Sequence, residues 1–205
     1  MILGTTSPLL WYSTRATAVV GLVLLTISAV LGITTATRLG SNFWPRFASA
    51  ELHRRASIMA MVFIGLHIVT TVADSYVSVP VLAAVVPFTS PYSPWSVGLG
   101  TIAFDLLLVV LLSSLIRHRI PATWWRGLHY LVYLSAPIAF LHVLTLGTDA
   151  RRGSHWLLGV LAACLGVCAV ALFGRLWSLR HRVGHKTMPP KKPLLSSNRP
   201  SRSRP

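Results

Sequence analysis

Acidic residues are scarce in this chain. Of its 205 residues only four are acidic, Glu51, Asp74, Asp105 and Asp149, against 19 Lys and Arg. Charged residues make up 11% of the sequence and hydrophobic residues 53%, which excludes an ordinary soluble domain and indicates an integral membrane protein. A net charge of +15 can also indicate nucleic-acid binding. Because the basic residues lie between apolar runs and in the tail, we expect a bilayer and no nucleic acid as partner.

Cysteine is almost absent as well. Cys164 and Cys168 are the two in the chain, and they stand four residues apart within one apolar run. On a helix they would share a face near the limit of disulfide reach, with side chains pointing alike. We therefore interpret both as small packing residues, with metal ligation the lesser alternative.

Five apolar runs are long enough to cross a bilayer, which takes about 20 helical residues. They cover 16–35, 51–73, 95–116, 124–146 and 155–177. The sequence therefore predicts an all-α integral membrane protein, a bundle of five transmembrane helices. The apolar segment 79–88 contains a proline and is too short to span, so we expect an interfacial segment or a lid over the bundle mouth.

The same pattern divides the chain into three parts. Residues 1–14 are expected to form an outer N-terminal lead, 15–178 the transmembrane domain, and 179–205 a basic, disordered tail. Placing the C-terminus in the cytoplasm puts 16 Lys and Arg inside and three outside. The positive-inside rule thus predicts a multi-pass protein of the inner (plasma) membrane with its N-terminus outside.

Two of the predicted spans carry a histidine near each end. His53 and His67 lie on the second, and His129 and His142 lie on the fourth. Ionisable side chains within a membrane span are costly and mark functional sites by default. Because one span separates these two helices, they run parallel and present histidines at two depths, about 20 Å apart. The alternative is a purely structural role, in which these histidines cap helices or form hydrogen bonds within the bundle.

The spacing of the two histidines on the fourth span does not match that on the second span. The thirteen steps from His129 to His142 turn a straight helix by about 220°, whereas fourteen steps from His53 to His67 turn it by about 320°. His129 and His142 therefore do not share a face of a straight helix. Pro137 lies between them, and a kink there or differently turned haem planes would reconcile the two spacings.

Paired neutral imidazoles favour haem over zinc. Zinc usually takes four ligands from Cys, His or carboxylate, and no such cluster is near, whereas haem iron accepts two axial histidines inside a helix bundle. We therefore expect two haems, one held by His53 and His129 at the inner level and one held by His67 and His142 at the outer level. The anionic propionates need cations. Candidates are Arg54, Arg55 and Arg126 inside, and Arg151 and Arg152 outside.

The His-x13-His and His-x12-His spacings on two parallel spans resemble the ferric reductase-like transmembrane domain. That family includes the membrane domains of ferric reductases and NADPH oxidases, and the haem-binding membrane subunit of periplasmic methionine sulfoxide reductase. The resemblance covers residues 16–177 and implies that His53 and His129 bind an inner haem b and His67 and His142 an outer one, with electrons moving from the cytoplasmic side outward. Members commonly have six spans and five are expected here, so the expected bundle lacks a leading helix of the family.

No Gly-rich dinucleotide fingerprint follows a strand, so we expect no flavin or NAD(P)H domain in this sequence. The resemblance then requires a separate electron donor, a flavoprotein or a quinol, and an acceptor on the outer side. One alternative is a quinol-dependent haem subunit of a periplasmic reductase. An alternative of another class is a small metal or proton transporter, or an assembly factor.

Several other ionisable residues remain. Asp105 within the third span is a candidate proton relay or ligand-orienting group, with a structural hydrogen bond as the equal alternative. Asp74, Tyr76 and Asp149 are expected to shape the outer mouth. The remaining histidines are interpreted as ordinary interfacial or tail residues: His118, His155, His181 and His185. The basic tail is expected to set the topology and to contact anionic lipid. The alternative is that it docks an acidic redox partner.

Overall fold

The computed structural model describes residues 8–37, 46–74, 77–146 and 155–186. Four residues named above therefore lie outside the described part of the chain: Tyr76, Asp149, Arg151 and Arg152. The same holds for the tail beyond Lys186, so the predicted disorder of that tail stays a prediction.

The described residues form helices and connecting turns, without a strand. The α-helices are α1 Pro8–Thr37, α2 Arg46–Ala73, α3 Pro94–Leu115, α4 Ala122–His129, α5 Val132–Leu146 and α6 His155–Lys186. Five segments are long and apolar enough to cross a membrane, with α4 and α5 together making the fourth. The predicted all-α bundle of five membrane-spanning segments is confirmed.

Two helix boundaries differ from those predicted. Helix α1 begins at Pro8, so residues 8–14 of the predicted lead belong to the first span. Proline is favoured at the first helical position because its φ is already helical and its missing N–H would have no helical partner. At the other end, α6 runs to Lys186 and includes the start of the predicted tail.

The bundle is held by a few helix pairs and turns many apolar side chains outward. α1 packs along α2, α3 along α5, and α1 also contacts α6. Leu22 of α1 forms a buried cluster with Leu157, Leu161 and Cys164 of α6, and both cysteines are free. Phe173 on α6 leaves 66% of its surface exposed. A helix that is apolar on all sides fits a lipid environment.

The segment between α2 and α3 folds over one end of the bundle, as the sequence predicted for 79–88. It contains a short 3₁₀ helix, Val81–Ala84, whose Ala83 is buried. The Thr101 hydroxyl on α3 donates to the Ala83 carbonyl at 2.6 Å. Phe88 has a φ of 67°, a backbone conformation that bulky residues rarely adopt. We call residues 77–93 the lid.

The fourth span is broken between α4 and α5, at Tyr130 and Leu131. Tyr130, Leu131, Tyr133 and Leu134 each donate to the carbonyl three residues earlier, at 3.0 or 3.1 Å. Tyr130 also donates to the Arg126 carbonyl at 3.1 Å. A 3₁₀ step turns about 120° instead of about 100°, so these bonds raise the turn from His129 to His142 above the roughly 220° of a straight helix.

The fourth span is therefore distorted at the passage from α4 to α5. Pro137 lies inside α5, seven residues beyond Tyr130. Proline interrupts the hydrogen bond to the carbonyl four residues earlier, here that of Tyr133. A kink at Pro137 stays a prediction.

The lid depends on the absence of a side chain at Gly98 on α3. A Cβ at Gly98 would lie 2.9 Å from the Phe88 amide nitrogen and would overlap its ring. We expect Gly98→Ala to displace the lid and to cost about 1–3 kcal/mol, as overpacking does. The measurement is thermal unfolding of the purified protein in detergent. Gly166→Ala on α6 is the control, since nothing lies within 4 Å of the added Cβ; equal midpoints for the two variants would contradict this role.

Candidate functional site at two histidine levels

The inner pair of histidines is brought together by α2 and α4. The ring centroids of His53 and His129 lie 6.1 Å apart, with the ring planes at 72°. A metal bound to one nitrogen of each ring at about 2 Å would hold those nitrogens about 4 Å apart. Each ring centroid lies behind its metal-bound nitrogen, so the two centroids are farther apart than the two nitrogens. The spacing therefore fits two axial ligands of one metal ion.

The outer pair faces a shared cavity. His67 of α2 and His142 of α5 both line a cavity of about 330 Å³ between α1, α2, α3 and α5, closed on one side by the lid. Its lining is mostly aliphatic and aromatic, as in ligand pockets of roughly 300–1,000 Å³. Asp74 also lines this cavity, in agreement with its predicted place at the outer mouth. An apolar macrocycle fits such a lining better than a hydrated ion does.

Three of the four histidines are anchored in the same way. Nδ1 of His53 lies 2.8 Å from the Ser28 carbonyl oxygen, Nδ1 of His67 lies 2.9 Å from that of Thr14, and Nδ1 of His142 lies 2.7 Å from that of Ser96. A carbonyl only accepts, so each Nδ1 carries the proton and each Nε2 presents a lone pair. Metal-ligating histidines almost always use their second nitrogen in this way.

Two of the anchoring residues begin the same short pattern, Ser-x3-Gly. Ser28 precedes Gly32 on α1, and Ser96 precedes Gly100 on α3. A Cβ at Gly32 would lie 3.2 Å from Cε1 of His53, and a Cβ at Gly100 would lie 2.6 Å from Cε1 of His142. The serine carbonyl binds the imidazole, and the glycine one turn later leaves room for it. We call these two places the imidazole seats.

His129 has no such seat. Its Nδ1 is buried and has no hydrogen-bond partner among the described residues. The Trp125 ring lies against it with centroids 5.1 Å apart and planes at 30°. Trp125 in turn places its Nε1 3.4 Å from the Ser114 hydroxyl on α3. Stacking therefore orients His129 where a carbonyl orients the other three.

The predicted cationic residues lie at the surface. Glu51 binds both Arg54 and Arg55, at 3.1 Å and 2.7 Å, and these side chains are 71% and 75% exposed. Arg126 is exposed and donates to the Ala122 carbonyl at 3.1 Å. None of these contacts tests a propionate role, which stays a prediction.

The sequence reasoning missed a cation at the outer level. Arg15 lines the cavity that holds His67 and His142, with its guanidinium carbon 4.0 Å from the centroid of the Trp11 ring. A first span that begins at Ala16 leaves Arg15 outside the bundle, whereas α1 begins at Pro8 and includes it. Pro8 is a favourable first residue of a helix, and a helix that begins there includes Trp11 and Thr14.

Other candidate groups do not converge on the histidines. Asp105 lies partly buried on α3, and His118 and His155 are exposed, as predicted for ordinary interfacial residues. Within the described residues, no three or more His, Cys, Asp or Glu side chains gather into a metal site. The inner pair is an arrangement of two histidines and does not belong to this class of site.

The imidazole seat on α3 can be tested by filling it. We expect Gly100→Ala to push the His142 ring out of place, because the new Cβ would overlap Cε1. The variant should unfold at a lower temperature and bind less haem than the unchanged protein. Gly159→Ala on α6, where nothing lies within 4 Å of the added Cβ, should match the unchanged protein in both measurements. A Gly100→Ala protein indistinguishable from Gly159→Ala would rule out the seat.

Comparisons with protein-family models, curated proteins and solved structures find no match to this chain. The resemblance to the ferric reductase-like transmembrane domain therefore depends on the spacing of the four histidines and on the helices that carry them.

Proposed function

We propose that this chain is a di-haem b transmembrane electron-transfer protein of the ferric reductase-like type. The observation that carries the proposal is the inner pair, whose rings are 6.1 Å apart. The Nδ1 contacts of the three anchored histidines support it, because they leave Nε2 free as a metal ligand. The mostly apolar cavity between His67 and His142 supports a second site of the same kind.

Haem, when bound, would supply one-electron redox chemistry. The chain supplies the surroundings. The paired imidazoles would hold each haem iron and would leave it no open coordination site, which favours electron transfer over inner-sphere catalysis. Mostly apolar side chains of α1, α2, α3, α5, α6 and the lid line the outer level. Arg15 offers a cation at that level for an anionic substituent.

The direction of transfer follows from the proposed orientation, with the N-terminus outside and the C-terminus in the cytoplasm of a plasma-membrane protein. The fourteen steps from His53 to His67 cover about 21 Å along α2, which separates an inner from an outer level. Electrons would come from a separate flavoprotein or from quinol and leave to an acceptor on the outer side. A quinol-dependent haem subunit of a periplasmic reductase is the closest alternative within this proposal.

A metal or proton transporter, or an assembly factor, is the rival of another class. Such a protein needs a polar path or a multidentate metal site in the bundle. The outer histidines instead face mostly apolar side chains, and their Nδ1 atoms are already bound to carbonyls. These features support a bound macrocycle more than a passing ion.

Haem quantitation tests the proposal. The purified protein should contain two haem b groups per chain, with reduced-minus-oxidised absorbance bands of a b-type cytochrome. His67→Ala and His142→Ala should each remove the outer haem and keep the inner one, because each cavity ligand serves one level. His118→Ala is the control and should keep both haems, since His118 is exposed on the loop after α3. A folded, colourless preparation, or four single His→Ala variants that all keep two haems, would contradict the proposal.

Orientation has a separate test. A reporter active only in the cytoplasm, fused after residue 186, should be active, and one fused before residue 8 should be inactive. The expected asymmetry follows from the 16 basic residues assigned to the cytoplasmic side against three outside. The opposite activities would reverse the proposed direction of electron flow without affecting the haem sites.

A further inference from the structure

The inner level is held unequally by its two ligands. His53 binds the Ser28 carbonyl through Nδ1, whereas Nδ1 of His129 is buried without a partner among the described residues. At the outer level both imidazoles are anchored to carbonyls. The orientation of the ligands at the inner level and their electron donation to a bound metal therefore depend mainly on His53.

The helix opposite His129 differs from the two imidazole seats at the matching position. On α1 the outer and inner anchoring residues, Thr14 and Ser28, are 14 positions apart, and 14 positions beyond Ser96 on α3 stands Val110. The Val110 carbonyl already accepts from the hydroxyls of Ser113 and Ser114, at 3.0 and 2.7 Å. Ser114 also occupies the place, four residues on, where both imidazole seats have glycine.

His53, in contrast, belongs to a closed ring of hydrogen bonds. Its Nδ1 lies 3.1 Å from the Ser28 hydroxyl in addition to the carbonyl. The Ser57 hydroxyl donates to the His53 carbonyl at 2.7 Å, so its only proton is used there. The Ser28 hydroxyl must then donate across the 2.6 Å contact with Ser57. Every hydroxyl proton in the ring is thereby assigned, and the Ser28 oxygen is polarised towards the imidazole N–H.

We propose that Ser28 and Ser57 are positioning residues that set the reduction potential of the inner haem through the Nδ1–H of His53. The inference rests on the proposed function, because it presumes that His53 binds haem iron. An acceptor on Nδ1–H raises the basicity of the imidazole and so favours the ferric state. Removing either hydroxyl weakens that acceptor and moves the inner potential upward.

The experiment measures midpoint potentials by spectroelectrochemistry in a His67→Ala background, which retains only the inner haem. Ser28→Ala should shift the ferric/ferrous equilibrium towards ferrous by up to about tenfold, or about 59 mV for a one-electron couple. Ser57→Ala should shift it in the same direction by less, since Ser57 does not touch the imidazole. Ser135→Ala is the control, a buried serine on α5 whose hydroxyl binds the Val132 carbonyl, and it should shift nothing.

The outcomes separate this inference from the proposed function. If the unchanged protein binds no haem, the proposed function itself is wrong. If it binds two haems and both hydroxyl variants match Ser135→Ala, the positioning role is overturned and the di-haem proposal stands. If Ser28→Ala does not fold, the Ser57→Ala potential decides alone. In the otherwise unchanged protein the outer potential should stay constant, and equal shifts of both haems would show a general structural effect that also overturns the inference.

Discussion

The hydrogen bond from an imidazole Nδ1–H to a backbone carbonyl of the neighbouring helix is the constraint on which the site depends. It occurs three times, from α2 to α1 at both levels and from α5 to α3 at the outer level. Each bond crosses between helices that pack along each other, so helix packing and imidazole orientation are fixed together. In a medium without water, an unanchored imidazole N–H would be costly, which makes these contacts structural as well as chemical.

The small residues of α1 and α3 follow from that constraint. A side chain can reach a carbonyl inside a continuous helix only where the adjacent turn leaves space, because the carbonyl already serves the helix itself. Gly32 and Gly100 provide that space one turn beyond Ser28 and Ser96. Where Ser114 replaces such a glycine, the histidine of that level stacks on Trp125 instead. His67 is anchored without such a glycine, since Ala18 stands four residues beyond Thr14.

Much of this arrangement could be predicted from the sequence. The five spans were readable from apolar runs of bilayer length, and the lid from a proline-containing run too short to span. The His53–His129 pairing followed from the parallel course of two helices separated by one span. The apolar run at 16–35 begins later than α1, which starts at Pro8, a residue that favours a helix start. A span read from that run alone leaves out the Thr14 carbonyl and Arg15.

The carbonyl anchors and the tightened turn could not be predicted in the same way. A backbone acceptor carries no side-chain signal, so Ser28 and Ser96 could not be distinguished from other small residues in the spans. The 3₁₀ bonds at Tyr130 and Leu131 arise where α4, carrying His129, passes into α5, and no sequence period marks such a change of pitch. The mismatch between the His129–His142 spacing and the His53–His67 spacing predicts a distortion of the fourth span, but not its position.

The most direct test of the central claim is an experimental structure of the protein purified from membranes in the oxidised state. It should show an iron porphyrin between His53 and His129 and another between His67 and His142, each iron bound through Nε2 and each of the three anchored Nδ1 atoms still within hydrogen-bond distance of its carbonyl. Iron bound through Nδ1, or imidazole pairs with lipid or water between them and no porphyrin, would contradict it.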